Sequence, residues 1–474
     1  MSLLASSDFP DRLSPILVKE LRQGLRAKTF IAVFLSLQAV LALILFAASA
    51  GTTSGSVGTI ISTVIFVFFS IAVLIVQPLR GIGAVSSEIK SNTIDMMVLT
   101  KLSATRIVFG KWFALVSQSA LLLATVIPYL IYRYVLGEMN LVGEVVLLIL
   151  IFLTSMAATA VTVGLSGSSS IILRTLLPIV AIPVFGYFAL YLMFSRGFGG
   201  PSLIDRLSLD TTDSRVMVSV YIVCIAYIAW SMLSWGSSVI ATAAENHATV
   251  RRLIVLAVSG IAIFFMTSSH VDADFIPLLF TLVTLPAIAT ALTERSFVAP
   301  SVRESFSKRG ILGKFVGFFL SPGWPSGVIF TFLLSTVFLF FCLRETPGNH
   351  LTDGHRVIIL GLLGGLLFPA VILILFRTDE ASRVSSYLLI LMGSGIFTLI
   401  IYAISESLGN DELLWFFVWS PLTFLPLAAE SPIYSEHLSS VATIVVAIEF
   451  AVLATTAVIA MKRQGEDHRA LEIA

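Results

Sequence analysis

Long apolar runs recur along this chain, separated by short segments that carry most of its charge. A helix that crosses a bilayer needs about 20 mostly apolar residues. Runs of that kind lie at 29–50, 57–79, 112–132, 141–165, 172–194, 216–243, 253–269, 274–292, 325–343, 357–376, 384–404 and 438–461. They predict an all-α, polytopic integral membrane protein with about 12 transmembrane helices. The first run ends in Ala48-Ser49-Ala50, which superficially resembles a peptidase site. It is longer than the roughly 7–15 residues of a signal core and follows a charged segment, so it reads as a retained span. A further apolar stretch, 412–428, carries Pro421 and Pro426, with Trp415 and Trp419 where interfacial aromatics would sit. It reads as a re-entrant or interfacial helix that does not cross.

Lys and Arg are enriched in cytoplasmic segments. With twelve crossings and the N-terminus inside, only Arg133, Arg196, Arg206, Arg215, Arg344 and Arg356 fall outside, leaving 23 of the 29 basic residues inside. Both termini are therefore expected in the cytoplasm. Composition agrees with a hydrocarbon solvent: 57% of the 474 residues are apolar and 12% are charged, against about 45–50% and about 25% in soluble domains. The net charge of +1 offers no footprint for nucleic acid. Cys224 and Cys342 lie in apolar stretches with no partner at ligand spacing, and read as buried small side chains.

Catalytic motifs are not visible. The histidines form no H-E-x-x-H, so no metal site is expected, and the His350, Asp353, His355 group reads as a solvated loop. The nearest run to a nucleophile elbow, Gly164-Leu165-Ser166-Gly167-Ser168, has serine where the final glycine should be. No phosphate loop occurs either. Gly310-Ile311-Leu312-Gly313-Lys314 lacks both its spacing and the following hydroxyl. Charge in hydrocarbon is expensive, so intramembrane polar residues are candidates for function. Glu449 sits near the centre of the last span, as a proton or cation site or as an acid hydrogen-bonded to a neighbouring helix. Gln38 is the second such position and reads as interhelical glue. Glu144 is expected to reach the interface from the outer end of its span.

Two segments carry more information. In PILVKELRQGLRAK, residues 15–28, Ile16, Leu17, Leu21 and Leu25 share one helical face, and Lys19, Glu20, Arg22, Gln23 and Arg26 share the other. Such a helix lies flat at the inner leaflet, apolar side in the acyl region and cations toward anionic head groups. In residues 85–113, a short helix capped by Ser91, Asn92 or Thr93 would present Met96, Met97 and Leu99, which are costly to leave in water. Methionine adapts to irregular surfaces, so the stretch reads as a docking element for a cytoplasmic partner, or as side chains folded back on the span ends.

The second segment resembles the loop between spans two and three in permease subunits of type-2 ABC transporters, the exporter-like class. That loop runs as an acidic residue, a small spacer, Thr, a hydrophobic patch, a basic-and-small turn, then Gly-Lys. The corresponding positions are Glu88, Thr93, Ile94 to Leu99, Lys101 to Thr105, and Gly110-Lys111. The N-terminal segment is similar to the amphipathic connecting helix of the same family. GLSGSSSIILR at 164–174 looks like its polar break before span five, and AENHATVRRL at 244–253 resembles a feature after span six in longer bacterial members.

The resemblance covers roughly 14–253 and implies three regions. These are a cytoplasmic connecting helix at 1–28, a six-span unit at 29–252 with a coupling segment at 80–111, and a further six-span region at 253–474 of unknown role. It also implies a multi-pass permease of a bacterial-type inner (plasma) membrane, with no catalytic residues and no cofactor of its own. ATP would be used by a separate ABC ATPase subunit touching Glu88, Thr93, Ile94, Met96, Met97 and Leu99. A second permease copy or a paralogue would complete a dimer. Two other classes stay open: an ion-gradient-coupled secondary transporter using Glu449, and a membrane-embedded enzyme or assembly factor.

Overall fold

The computed structural model describes residues 15–50, 56–91, 103–135, 140–168, 170–179, 182–183, 207–241, 245–267, 275–295, 316–342, 352–376, 383–409, 412–430 and 435–473. The protein is all-α, and ten helices among these residues are long and apolar enough to cross a membrane. Each coincides with one of the twelve apolar runs. The run at 274–292 forms a shorter helix, Ile276–Leu292, about 26 Å long at 1.5 Å per residue. Most of the run at 172–194 lies outside the described residues. The chain divides into two compact units, Met1–Ala241 and Thr242–Ala474. The division falls before 252, so Arg251 and Arg252 belong to the second unit.

In the first unit, α1 (Pro15–Arg26) leads into α2 (Lys28–Ala50). Next, α3 (Ser56–Ser70) passes through a π turn at Ile71–Val76 into α4 (Gln77–Leu79), and α5 (Ser86–Lys90) follows. The long α6 (Ala104–Val135), α7 (Leu141–Leu165) and α8 (Thr212–Ile240) complete the unit. Side-chain caps set two of these starts: Asn140 accepts from the Gly143 amide and Thr211 from the Ser214 amide. A π turn disturbs the regular carbonyl ladder. Here Ser155 of α7 donates to the Val73 carbonyl at 2.7 Å, which ties the turn to its neighbour. Leu41, Phe66, Phe69, Val126 and Ile151 form the apolar centre between α2, α3, α6 and α7. Where α7 and α8 cross at Gly164 and Gly236 there is no room for a side chain. A Cβ on Gly236 would lie 2.8 Å from the Gly164 Cα, so glycine at both positions lets the backbones touch.

Glu144 does not reach the interface, contrary to expectation. It is buried 3.1 Å and 3.2 Å from the Ser62 hydroxyl, which donates to its carboxylate, and 3.9 Å from Arg133. Arg133 in turn donates to Ser62 at 2.8 Å. An unpaired carboxylate inside this bundle would be expensive, so the chain turns it onto a cation rather than toward water.

The second unit contains α9 (His247–Met266), α10 (Ile276–Leu292), α11 (Trp324–Cys342), α12 (Asp353–Leu375) and α13 (Arg383–Leu408). After these come the short α14 (Glu412–Phe416), a 3-10 turn at Pro421–Thr423, α15 (Phe424–Glu430) and the long α16 (Ser435–Ile473). The stretch at 412–428 is thus two short pieces rather than one helix. Proline lacks an N–H and pushes the preceding residue out of the helical region. Ser420 accordingly sits at φ −95, ψ 105. The broken turn packs on the glycines of α12: a Cβ on Gly361 would lie 2.9 Å from the Phe424 Cβ. His355 caps α12, its Nδ1 lying 2.7 Å from the Thr352 hydroxyl, in keeping with a structural role.

Arg252, near the start of α9, is 2% exposed. Its guanidinium donates to the carbonyls of Phe319 (2.6 Å), Ser321 (2.8 Å) and Gly323 (3.2 Å), and to the Ser326 hydroxyl (3.0 Å). It also meets Glu294 at 2.6 Å, and the same carboxylate accepts the Gly323 amide at 3.0 Å. One side chain therefore joins the start of α9, the second residue after α10 and the chain leading into α11.

Outward-facing positions on many of these helices are large and apolar, such as Leu35, Leu43 and Phe46 of α2, the last 77% exposed. In water such a surface would be strongly unfavourable, whereas lipid tails match it.

Candidate functional site

Within residues 80–111 the structure describes 80–91 and 103–111, and Glu88 anchors the short α5. Lys111 lies two turns into α6 with its side chain 5% exposed, yet its ammonium has two acids to meet. Glu20 of α1 is 2.7 Å away and Glu88 of α5 is 3.1 Å away. Lys19 adds a longer contact to Glu88 at 3.6 Å, but it is half exposed and contributes little. One ammonium thus fastens three segments that are distant in sequence. An ammonium has three donors and no acceptor, so two carboxylates around it are a satisfied arrangement.

A second contact set continues along the same face of α6. Arg80, just after α4, donates to Gln77 at 2.8 Å, to Gln118 of α6, and to the Gly24 carbonyl of α1 at 3.4 Å. Its guanidinium also lies 5.7 Å from the centre of the Phe30 ring. Burial pulls the Arg80 guanidinium below its ordinary value, but arginine stays charged at any working pH. A Cβ on Gly24 would displace the Gln118 amide to which Arg80 donates.

The far side of α5 is fixed as well. The Val85 amide donates to the Ser166 hydroxyl at 3.1 Å. Ser166 lies in the polar break after α7, which gives that serine-rich stretch a mechanical role. Val85 itself packs with Val108, Ala160, Val163 and Leu233. Displacement of α5 therefore strains α1, α6 and α7 together.

Comparison with family models, with curated proteins and with solved structures found no match.

Among the sequence candidates, Thr93, Ile94, Met96, Met97 and Leu99 lie outside the described residues. On α1, Lys19, Arg22 and Arg26 are exposed, Leu17 is buried, and Leu21 and Leu25 are half-buried. The apolar face does not simply enter lipid. It packs on α6 and α2, and Leu25 joins the core of the unit. Gln38 accepts from the Tyr129 hydroxyl at 2.9 Å, which is interhelical glue. Glu449 is buried at 7% exposure, and its Oε2 has no hydrogen-bond partner. No group of three His, Cys, Asp or Glu suited to a metal occurs among the described residues. Sequence reasoning did not single out Lys111, Glu20, Arg80 or Gln118 as a group. The available signal was a lysine inside an apolar helix, which needs a carboxylate from somewhere.

Replacing Lys111 with methionine keeps the bulk and removes the charge. Glu20 is 20% and Glu88 13% exposed, so the loss is smaller than for a sealed pair. We expect amide exchange across α1 to accelerate about tenfold or more, equivalent to about 1.4 kcal/mol of opening energy. Hydrogen exchange read by mass spectrometry checks this, and unchanged rates in residues 17–26 would refute the anchoring role.

Proposed function

We propose that this chain is the permease subunit of an ATP-driven exporter, energised by a separate ATPase subunit that docks on the segment 86–104. The observation that supports it best is the Glu88–Lys111–Glu20 junction. A docking element is useful only if force applied to it reaches the spans, and this junction joins α5 to the long α6 and to α1. The apolar side chains of Met96, Met97 and Leu99 supply the grip, and Glu88 and Thr93 order the segment. In this reading the junction faces the cytoplasm together with both termini, in accord with the bias of basic residues. The working unit is a dimer of two copies, or of this chain and a paralogue, in a plasma membrane. The chain itself carries out no hydrolysis.

A photo-reactive benzoylphenylalanine at Met97 tests the contact in native membranes. The expected product is a covalent adduct with a nucleotide-binding subunit, identified by mass spectrometry. Adducts confined to lipid or to this chain's own helices would remove the basis for the proposal.

A further inference from the structure

A narrow cleft opens in the second unit where the ends of four helices meet. Leu292 is the last residue of α10, Trp324 the first of α11 and Arg383 the first of α13, and all three line it. Leu373, in the last turn of α12, completes this level. Further into the spans the walls are Val328, one turn beyond Trp324, and Leu453 of α16. Every lining side chain is apolar or aromatic except Arg383, which is half-buried. Its guanidinium lies 5.7 Å from the centre of the Trp324 ring, a cation–π contact that holds the charge beside the apolar wall.

The cleft runs on toward the bilayer. Phe332, one turn beyond Val328, is half exposed and meets the Phe450 ring of α16 edge-on at 5.3 Å. The groove between α11 and α16 thus continues from the cleft to the surface that lipid tails would cover. An alkyl chain can lie along it, entering sideways with no aqueous route. The ends of spans are also the depth of lipid phosphates, where tryptophan and snorkelling arginine anchor. The two connections that end at the cleft, 293–323 and 377–382, hold six basic and four acidic residues before Arg383 is counted. Such a surface favours an anionic head group, and the fork of N–H donors on a guanidinium matches phosphate oxygens. A soluble anion would leave the apolar walls unused, and a neutral hydrocarbon would leave Arg383 unused.

We propose that this cleft holds one anionic phospholipid, its phosphate on Arg383 and one acyl chain along Val328 and Phe332. The site belongs to the second unit alone and stands whether or not an ATPase docks on the first. A lipid seated there links the ends of α10, α11, α12 and α13 at the membrane surface.

Native mass spectrometry of the full chain tests this, in micelles holding equal phosphatidylglycerol and phosphatidylcholine with the same acyl chains. The wild type should retain one phosphatidylglycerol about fivefold over phosphatidylcholine, the effect of one basic group near a lipid surface. Arg383→Gln should bring the two lipids to parity. No preference in the wild type, or a preference unchanged in the variant, overturns the proposal. Should Arg383→Gln fail to fold, the wild type decides the matter in vesicles containing phosphatidylglycerol with a diazirine on its acyl chain. Adducts concentrated on Val328, Phe332 or Leu453 support the site. Adducts spread evenly over outward-facing residues such as Leu35 and Leu43 mean ordinary boundary lipid and overturn it.

Discussion

Replacing Arg252 with leucine is expected to lower the temperature at which the second unit exposes Cys342 by roughly 10 °C. Cys342 is buried in α11, its sulfur 3.6 Å from that of Met266 in α9, so it reports separation of these helices. In a Cys224→Ser background a thiol-reactive fluorophore reads that event alone. Leucine fills part of the volume but leaves Glu294 with only the longer Arg251 contact, at 3.4 Å, and takes the charged donor from the Phe319, Ser321 and Gly323 carbonyls. Removing one partner of a buried pair costs about 3–5 kcal/mol. Carbonyls losing a charged donor add to that. Because α9, the second residue after α10 and the approach to α11 all meet at this guanidinium, the loss is not confined to one helix. A shift under about 2 °C would mean that water replaces the guanidinium at little cost.

The second large effect concerns Arg133, and there the double variant is the informative one. At 3.9 Å from Glu144, the attraction is about 4 kcal/mol at an effective dielectric of about 20. Desolvating the two charges costs several kcal/mol per ion, so the pair adds little net stability even though breaking it is harmful. Arg133→Leu alone is expected to destabilise the first unit by about 3 kcal/mol. Arg133→Leu with Glu144→Leu should recover most of that loss. Labelling of Cys224 in a Cys342→Ser background follows both. Simple additivity of the two single variants would show that the charges do not act as a pair.

These pairings mark where reading the chain stops. The spans were legible because hydrocarbon demands long apolar stretches, and Pro421 announced that 412–428 would not be one of them. The amphipathic face of α1 was legible too, but not its destination. Leu17 and Leu25 would serve equally well against lipid or against α6, and nothing local distinguishes the two. Lys111 meets carboxylates contributed by α1 and α5, and Arg252 meets Glu294 from beyond a different helix. Pairings at such separations leave no trace in hydropathy or periodicity. Glu88 stood out only as a position of the resemblance, and its pairing with Lys111 was not visible. Gln38 was read as interhelical glue without a named partner, and Tyr129 of α6 supplies it, whereas Glu144, expected at the interface, is held by Ser62 and Arg133 on other helices.

The central claim is that an external ATPase grips the chain beside the Glu88–Lys111 junction. Affinity purification of the full chain from native membranes tests it most directly, comparing the wild type with the double variant Met96→Asp/Met97→Asp. The wild type should bring down a nucleotide-binding subunit in near-stoichiometric amount. The variant, carrying two charges in an apolar contact, should lose it at least about tenfold while remaining monodisperse, a loss of about 1.4 kcal/mol or more. Equal recovery of the same ATPase with both chains would contradict the account.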